Sequence, residues 1–123
     1  MSGIGDIFKM LLGGAGSAPL DHLEPVEAHQ RLQEKNPPQF IDVRTQEEHK
    51  ESRIPGSRLI PLHELGSRLR EIDKVRPVLL YCRSGNRSGM AYQLLKSRGY
   101  ANVAHIRGGI IAWSRNGLPL ECH

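Results

Sequence analysis

The residues with the clearest chemical potential lie in one stretch, Val78-Leu79-Leu80-Tyr81-Cys82-Arg83-Ser84-Gly85-Asn86-Arg87-Ser88. A thiol closes an apolar run, and a loop with glycine, asparagine and two arginines leads into a helical pattern that begins near Ser88. Gly85, the nearby Gly89 and Asn86 allow backbone conformations that turn several N–H groups inward as an anion-binding nest. A helix N-terminus adds partial positive charge there, and Arg83 and Arg87 add full charges. Each of these favours the thiolate, the nucleophilic form of cysteine. An isolated cysteine would read as a packing residue, because cysteine is among the most buried types. The order strand, cysteine, nest, helix instead marks Cys82 as a catalytic nucleophile. Arg83, Ser84, Gly85, Asn86, Arg87 and Ser88 are then expected to bind its substrate.

A cysteine placed this way needs a strand to end at it and a helix to start beyond it. Val78 to Tyr81 is apolar without alternation, as in a strand covered on both faces. Before it come Gln39 to Arg44, a strand entered from Pro37-Pro38, and Arg58 to Leu62, a brief strand ended by proline. Val103 to Ile106 is the last strand. Helical patterns alternate with these strands. Pro25 suits a first turn, with Val26, Ala28 and Leu32 roughly on one side. Thr45 and Glu48 fit a capping box. Leu65 to Ile72 has helical spacing, Ala91, Leu94 and Leu95 make a stripe stopped by Gly99, and Ile110 to Trp113 opens a final helix. Alternation of this kind predicts an α/β fold of three layers, α/β/α, around a central, mainly parallel sheet of about five short strands. In such sheets ligands bind beyond the carboxyl ends of the strands, where Cys82 lies.

The chain has 123 residues, 17 Lys plus Arg against 13 Asp plus Glu, and a formal charge of +4. One domain with one core is expected. No long run of like charge occurs, so no nucleic-acid partner is expected, although a mild bias toward small anions remains. Two cysteines are too few for a disulfide framework, which favours a reducing, cytoplasmic setting. The first 19 residues carry Ile4, Ile7, Phe8 and Leu11 at helical spacing and then a glycine- and serine-rich stretch. They read as a flexible arm with a short amphipathic segment before a domain at 20–123, and neither as a signal peptide nor as a membrane anchor. The six histidines show no ligand spacing, so no metal site is expected. Trp113 reads as a core anchor, and Cys122 as an exposed thiol near the chain end.

Four motifs, in order, resemble the rhodanese domain. They are Ile41-Asp42-Val43-Arg44 followed by Glu48; Ile54-Pro55-Gly56-Ser57 with Ile60-Pro61; Leu80 to Ser88; and Gly108-Gly109-Ile110-Ile111-Ala112-Trp113 with Gly117-Leu118-Pro119. One departure is Ser52-Arg53, where the family often has Gly-His, and it bears only on local loop packing. The resemblance implies a rhodanese-like fold and a single-domain sulfurtransferase. Cys82 would take a sulfane sulfur from a donor such as thiosulfate, become a persulfide, and pass the sulfur to cyanide or to a thiol, on a small molecule or a protein. Sulfite leaves without protonation, so neither a histidine base nor a cofactor is implied. Asp42 and Arg44 would support the site, Asp42 by orienting an arginine or capping a loop.

Two other readings use the same residues. Cysteine-dependent phosphatases and arsenate reductases carry Cys-x5-Arg, whose arginine completes a cradle for a tetrahedral oxyanion. Here the count is Cys-x4-Arg from Cys82 to Arg87, one residue short, which favours a single sulfur atom. A non-catalytic rhodanese module for protein binding typically lacks the cysteine, and this chain has it.

Overall fold

The computed structural model describes residues 22–122. The expected arm, the linker at 13–19 and the domain start near residue 20 lie outside the described residues. Strands and helices alternate as β1 (His22–Leu23), α1 (Pro25–Leu32), β2 (Gln39–Asp42), α2 (Gln46–Glu51), β3 (Ser52–Arg53), β4 (Arg58–Leu59) and α3 (Leu62–Leu65). A 3-10 turn (Leu69–Glu71), β5 (Val78–Tyr81), α4 (Asn86–Ser97), β6 (Val103–Ile106), α5 (Gly109–Arg115) and β7 (Glu121–Cys122) follow. Five strands form one sheet in the order β1-β6-β5-β2-β4, with every pair parallel. Parallel neighbours need crossovers, and the crossovers put helices on both faces.

β5 is central, and all four of its residues are buried. Its pleat sorts the two cores. Val78, Leu80 and, just past the strand, Cys82 pack with Leu65 of α3 and with Ala91 and Leu95 of α4. Leu79 and Tyr81 face the other way, toward Ala28 of α1 and Ile110 and Trp113 of α5. Side chains alternate along a strand, so the thiol emerges on the face covered by α3 and α4. Trp113 is buried and its Nε1–H donates to the Pro119 carbonyl at 2.7 Å.

Some local expectations shift. The helical spacing from Leu65 to Ile72 resolves into α3 and a separate 3-10 turn, parted by Gly66, Ser67 and Arg68. Leu65 and Ile72 are buried all the same, because burial rather than helical continuity set that spacing. Leu62 opens α3 instead of ending a strand, since Pro61 cannot donate to a ladder but suits the residue before a helix. In α1 the buried stripe is Pro25 and Ala28, and Val26 is exposed. A two-stranded antiparallel ladder of β3 with β7 gives Ser52-Arg53 its role: Ser52 pairs with Cys122, and Arg53 Nε reaches Glu121 at 3.1 Å.

At the carboxyl end of β2 one carboxylate joins several elements. Asp42 is fully buried and Arg44 is 4% exposed. The Arg44 guanidinium grips the carboxylate through Nε (2.9 and 3.1 Å) and Nη2 (2.8 Å), and the Arg44 N–H adds a bond of 2.9 Å. His49 Nδ1 lies 2.8 Å from Oδ2, and the Tyr81 hydroxyl donates to the same oxygen at 3.1 Å. Tyr81 in turn accepts from Ile54 N–H at 3.1 Å and meets Ser57 Oγ at 2.9 Å. Burial, reinforced by the Asp42 charge, pushes the Tyr81 phenol up to about 12, so it stays a donor. A buried cation stripped of its partner is costly. Asp42→Ala is therefore expected to lose about 3–5 kcal/mol of unfolding free energy in urea titrations. A loss below about 1 kcal/mol, the range of an exposed pair, would show that this network does not hold the strand ends.

Candidate active site

Cys82 follows β5 directly, and its backbone is held from the far side of the sheet. The N–H groups of Ile110 and Ile111, in the first turn of α5, donate to the carbonyls of Cys82 (2.9 Å) and Arg83 (3.2 Å). First-turn amides have no acceptor within their own helix, so the cysteine loop satisfies them. With the Cys82 and Arg83 carbonyls turned to α5, the loop brings the Gly85 N–H to the Cys82 sulfur, to which it donates at 3.1 Å. Gly85 takes φ +108°, a conformation suited to glycine, and caps α4. That helix begins at Asn86, two residues before the start expected at Ser88. Gly109 is required for the same contact. At its φ of +63° a Cβ would strike the Arg83 carbonyl oxygen and come within 2.5 Å of the Cys82 carbonyl oxygen.

The thiol itself is 1% exposed and Ser88 is fully buried. Cys82 Sγ lies 3.5 Å from Ser88 Oγ, which is 2.9 Å from His105 Nδ1 on β6. Sequence reasoning passed over His105 as one of several scattered histidines. Its signal was a lone imidazole at the carboxyl end of an otherwise apolar strand. One pocket, of about 440 Å³, is lined by Ser84, Gly85 and Asn86 of the loop with His22, His105 and Arg107. A second, of about 290 Å³, lies on the other side of the loop, between Arg87 and the segment from Val43 to Thr45 with Pro61 to His63.

The two loop arginines differ. Arg83 is exposed at the loop. Arg87 meets Glu48 fork to fork, Nη1 to Oε1 at 2.7 Å and Nη2 to Oε2 at 2.9 Å. Its charge is thus already compensated by a residue of α2. The same Glu48 completes the capping box, accepting from Thr45 N–H at 2.9 Å while Thr45 Oγ1 accepts from Glu48 N–H at 3.2 Å. The Arg87 hydrogen bonds hold the Glu48 carboxyl at about 2, well below its ordinary value, and Arg87 is raised in return. Asp42 and Tyr81 sit on the opposite face of the sheet from the thiol, so Asp42 acts on the frame around the site. Cys122 is an exposed free thiol on the β3–β7 ladder.

A profile described as Rhodanese-like domain matches residues 24–116. A curated relative named sulfurtransferase, from Allochromatium vinosum, is 40% identical over 101 residues, covering 82% of this chain and 94% of the relative. Some relatives are longer: the chain spans 60% of a Bacillus subtilis protein to which it is 41% identical. Among solved structures, a rhodanese-like domain protein from Staphylococcus aureus superposes with TM-score 0.75 at 30% identity, covering 85% of this chain and 99% of that one. A thiosulfate sulfurtransferase from Pseudomonas aeruginosa gives TM-score 0.77 at 29% identity, covering 84% of this chain and 20% of that one.

Two outcomes are expected from the geometry. Gly109→Ala must push α5 off the cysteine loop, costing about 2 kcal/mol or more of stability and slowing alkylation of Cys82 by iodoacetamide. An unchanged alkylation rate would mean that the loop holds its shape without α5. The Glu48–Arg87 pair has an acid limit. Glu48 lies lower in the folded chain, so its contribution is full above about pH 4.5 and fades as the pH falls toward about 2. The pair is partly exposed, so solvent screening leaves about 1 kcal/mol. Glu48→Gln should be less stable than the parent by that amount at pH 7 and equal to it near pH 2, in urea titrations at both pH values. A constant difference across that window would refute the assignment.

Proposed function

This chain belongs to the rhodanese-like domain family, and we propose that within it the protein is a sulfurtransferase working through a Cys82 persulfide, with thiosulfate as a competent donor. The observation that carries the reading is the cradle around the sulfur: a buried thiol with a loop amide 3.1 Å away, beside the first turn of a helix. Amides aimed at a sulfur atom stabilise negative charge on it in both states of a two-step transfer. The Cys82 thiolate attacks the outer sulfur of thiosulfate. The new S–S bond forms as the donor's S–S bond breaks, and sulfite leaves with the electron pair. A thiolate or cyanide then attacks the outer sulfur of the persulfide and releases the Cys82 thiolate. Arg83, exposed at the loop, is placed to draw an anionic donor in, an effect that salt weakens.

The paired state of Arg87 favours sulfur over phosphate. A phosphatase cradle uses its loop arginine on the oxyanion, whereas here the guanidinium is engaged with Glu48. The loop amides can serve one sulfur atom without it. The name of the Allochromatium vinosum relative supports transfer of sulfur in general. A thiol, on a small molecule or an accessible protein segment, is the expected acceptor, and the setting is cytoplasmic. No helix among the described residues is long and apolar enough to cross a membrane.

Incubation of the purified protein with thiosulfate should add one sulfur atom, about 32 Da, at Cys82, read by intact-mass spectrometry with peptide mapping. Cys82→Ser should gain nothing, while Cys122→Ser should gain the sulfur like the parent. The opposite pattern would overturn the site. Hydrolysis of an aryl phosphate that vanishes in Cys82→Ser would overturn the reaction class.

A further inference from the structure

Sulfur transfer as written above starts from a thiolate, yet Cys82 is 1% exposed and bulk water has little access to its proton. A polar route leads away from it. Cys82 Sγ lies 3.5 Å from Ser88 Oγ, and Ser88 Oγ lies 2.9 Å from His105 Nδ1. The other acceptor near the Ser88 hydroxyl, the Gly85 carbonyl, is farther at 3.4 Å. Ser88 is fully buried, so its hydroxyl has to be satisfied by these groups. His105 stands on β6 opposite Leu80 of the thiol's own strand, and it lines the pocket of about 440 Å³ beside the loop. The chain therefore runs from a buried thiol through one hydroxyl to an imidazole at an open depression.

We propose that Ser88 and His105 form a proton relay that deprotonates Cys82. The thiol proton passes to Ser88 Oγ as the Ser88 hydroxyl proton passes to His105 Nδ1. One S–H and one O–H bond break, one O–H and one N–H bond form, and no electron is gained or lost. The thiol becomes a thiolate, the serine stays neutral, and the proton stays on the imidazole, whose positive charge then favours the thiolate at equilibrium. The relay needs the His105 tautomer with its proton on Nε2, so that Nδ1 accepts. Histidine is the side chain whose ordinary titration falls in the neutral range, which suits it to this exchange. Ser88 touches the reacting sulfur. His105 acts through Ser88 and is a positioning residue.

Other charged and titratable groups surround this route. His22 of β1 lies in register with His105, and the Tyr92 ring of α4 is 6.1 Å from the imidazole, centroid to centroid. Arg107 lines the same pocket, and Arg83 and the Arg87–Glu48 pair stand at the loop. The variants must therefore isolate the serine and the histidine themselves.

The inference rests on Cys82 as the nucleophile of the proposed function, but its test needs no sulfur donor. In a Cys122→Ser background only Cys82 remains as a thiol, since the chain has two cysteines. Its alkylation by iodoacetamide can be followed by intact mass from about pH 6 to about pH 10, spanning the histidine and thiol ranges. His105→Gln and Ser88→Ala are each expected to react about tenfold or more slowly than the parent near pH 6.5. The gap should close to about twofold near pH 10, where hydroxide takes the proton directly. Rates equal to the parent at every pH would overturn the relay. So would a slowing by the same factor at every pH, which a purely structural role would give. A relay confirmed here with no sulfur gained from thiosulfate would sink the donor assignment alone. Sulfur gained with flat alkylation ratios would sink the relay alone.

Discussion

Two amide-to-carbonyl hydrogen bonds organise this protein's chemistry: Ile110 N–H to the Cys82 carbonyl and Ile111 N–H to the Arg83 carbonyl. A helix start has amides to satisfy, and a loop leaving a strand has carbonyls to place. Bringing them together turns the Cys82 and Arg83 carbonyls away from the sulfur and leaves the Gly85 N–H to donate to it. Reversed, the same loop would aim carbonyl oxygens at a thiolate and repel it. The contact demands a residue without a side chain at position 109, far along the chain from Cys82, while a side chain at Gly108 would instead collide with Ala112 of α5.

The second constraint works on the other face. Asp42, Arg44, Tyr81, Ser57 and the Ile54 amide share one hydrogen-bonded network at the carboxyl ends of β2 and β5. Tyr81 and Cys82 are neighbours pointing to opposite faces, so the tyrosine hydroxyl locks the strand end from one side while the thiol lies on the other. Glu48 plays a comparable double part. It closes the capping box of α2 and binds Arg87 at the start of α4, tying the two helices at the loop's edge. Asp42, Ser57 and Glu48 thus each have a partner from another of the ordered motifs.

Much of this was legible from the residues. The uninterrupted apolar run from Val78 to Tyr81 announced a strand buried on both faces, and the alternation of strands and helices announced a parallel three-layer fold. Thr45 and Glu48 announced the start of α2, because a capping box is a local exchange of hydrogen bonds. The paired short strands were not legible: β1, β3 and β7 have two residues each, too few for any periodicity. The continuous helix expected from Leu65 to Ile72 failed because its spacing reports only which residues face the core. Val26 failed for a related reason, since so short a helix is turned by its packing and not by its own pattern.

By itself the sequence determined that a cysteine stands at the carboxyl end of a buried strand, and that glycine and a helix start follow it. Those are properties of residue order and local conformation, which survive in one dimension. Tertiary structure alone decided what the polar side chains do. Arg87 looks like an anion ligand in the loop, but the fold brings Glu48 to it across 39 positions of chain. His105 looks like a stray histidine, but the pairing of β6 with β5 sets it against Ser88, 17 positions away. A charge or a hydrogen-bonding group takes its role from its partner, and partners distant in sequence meet only when strand order and helix packing bring them within about 3 Å.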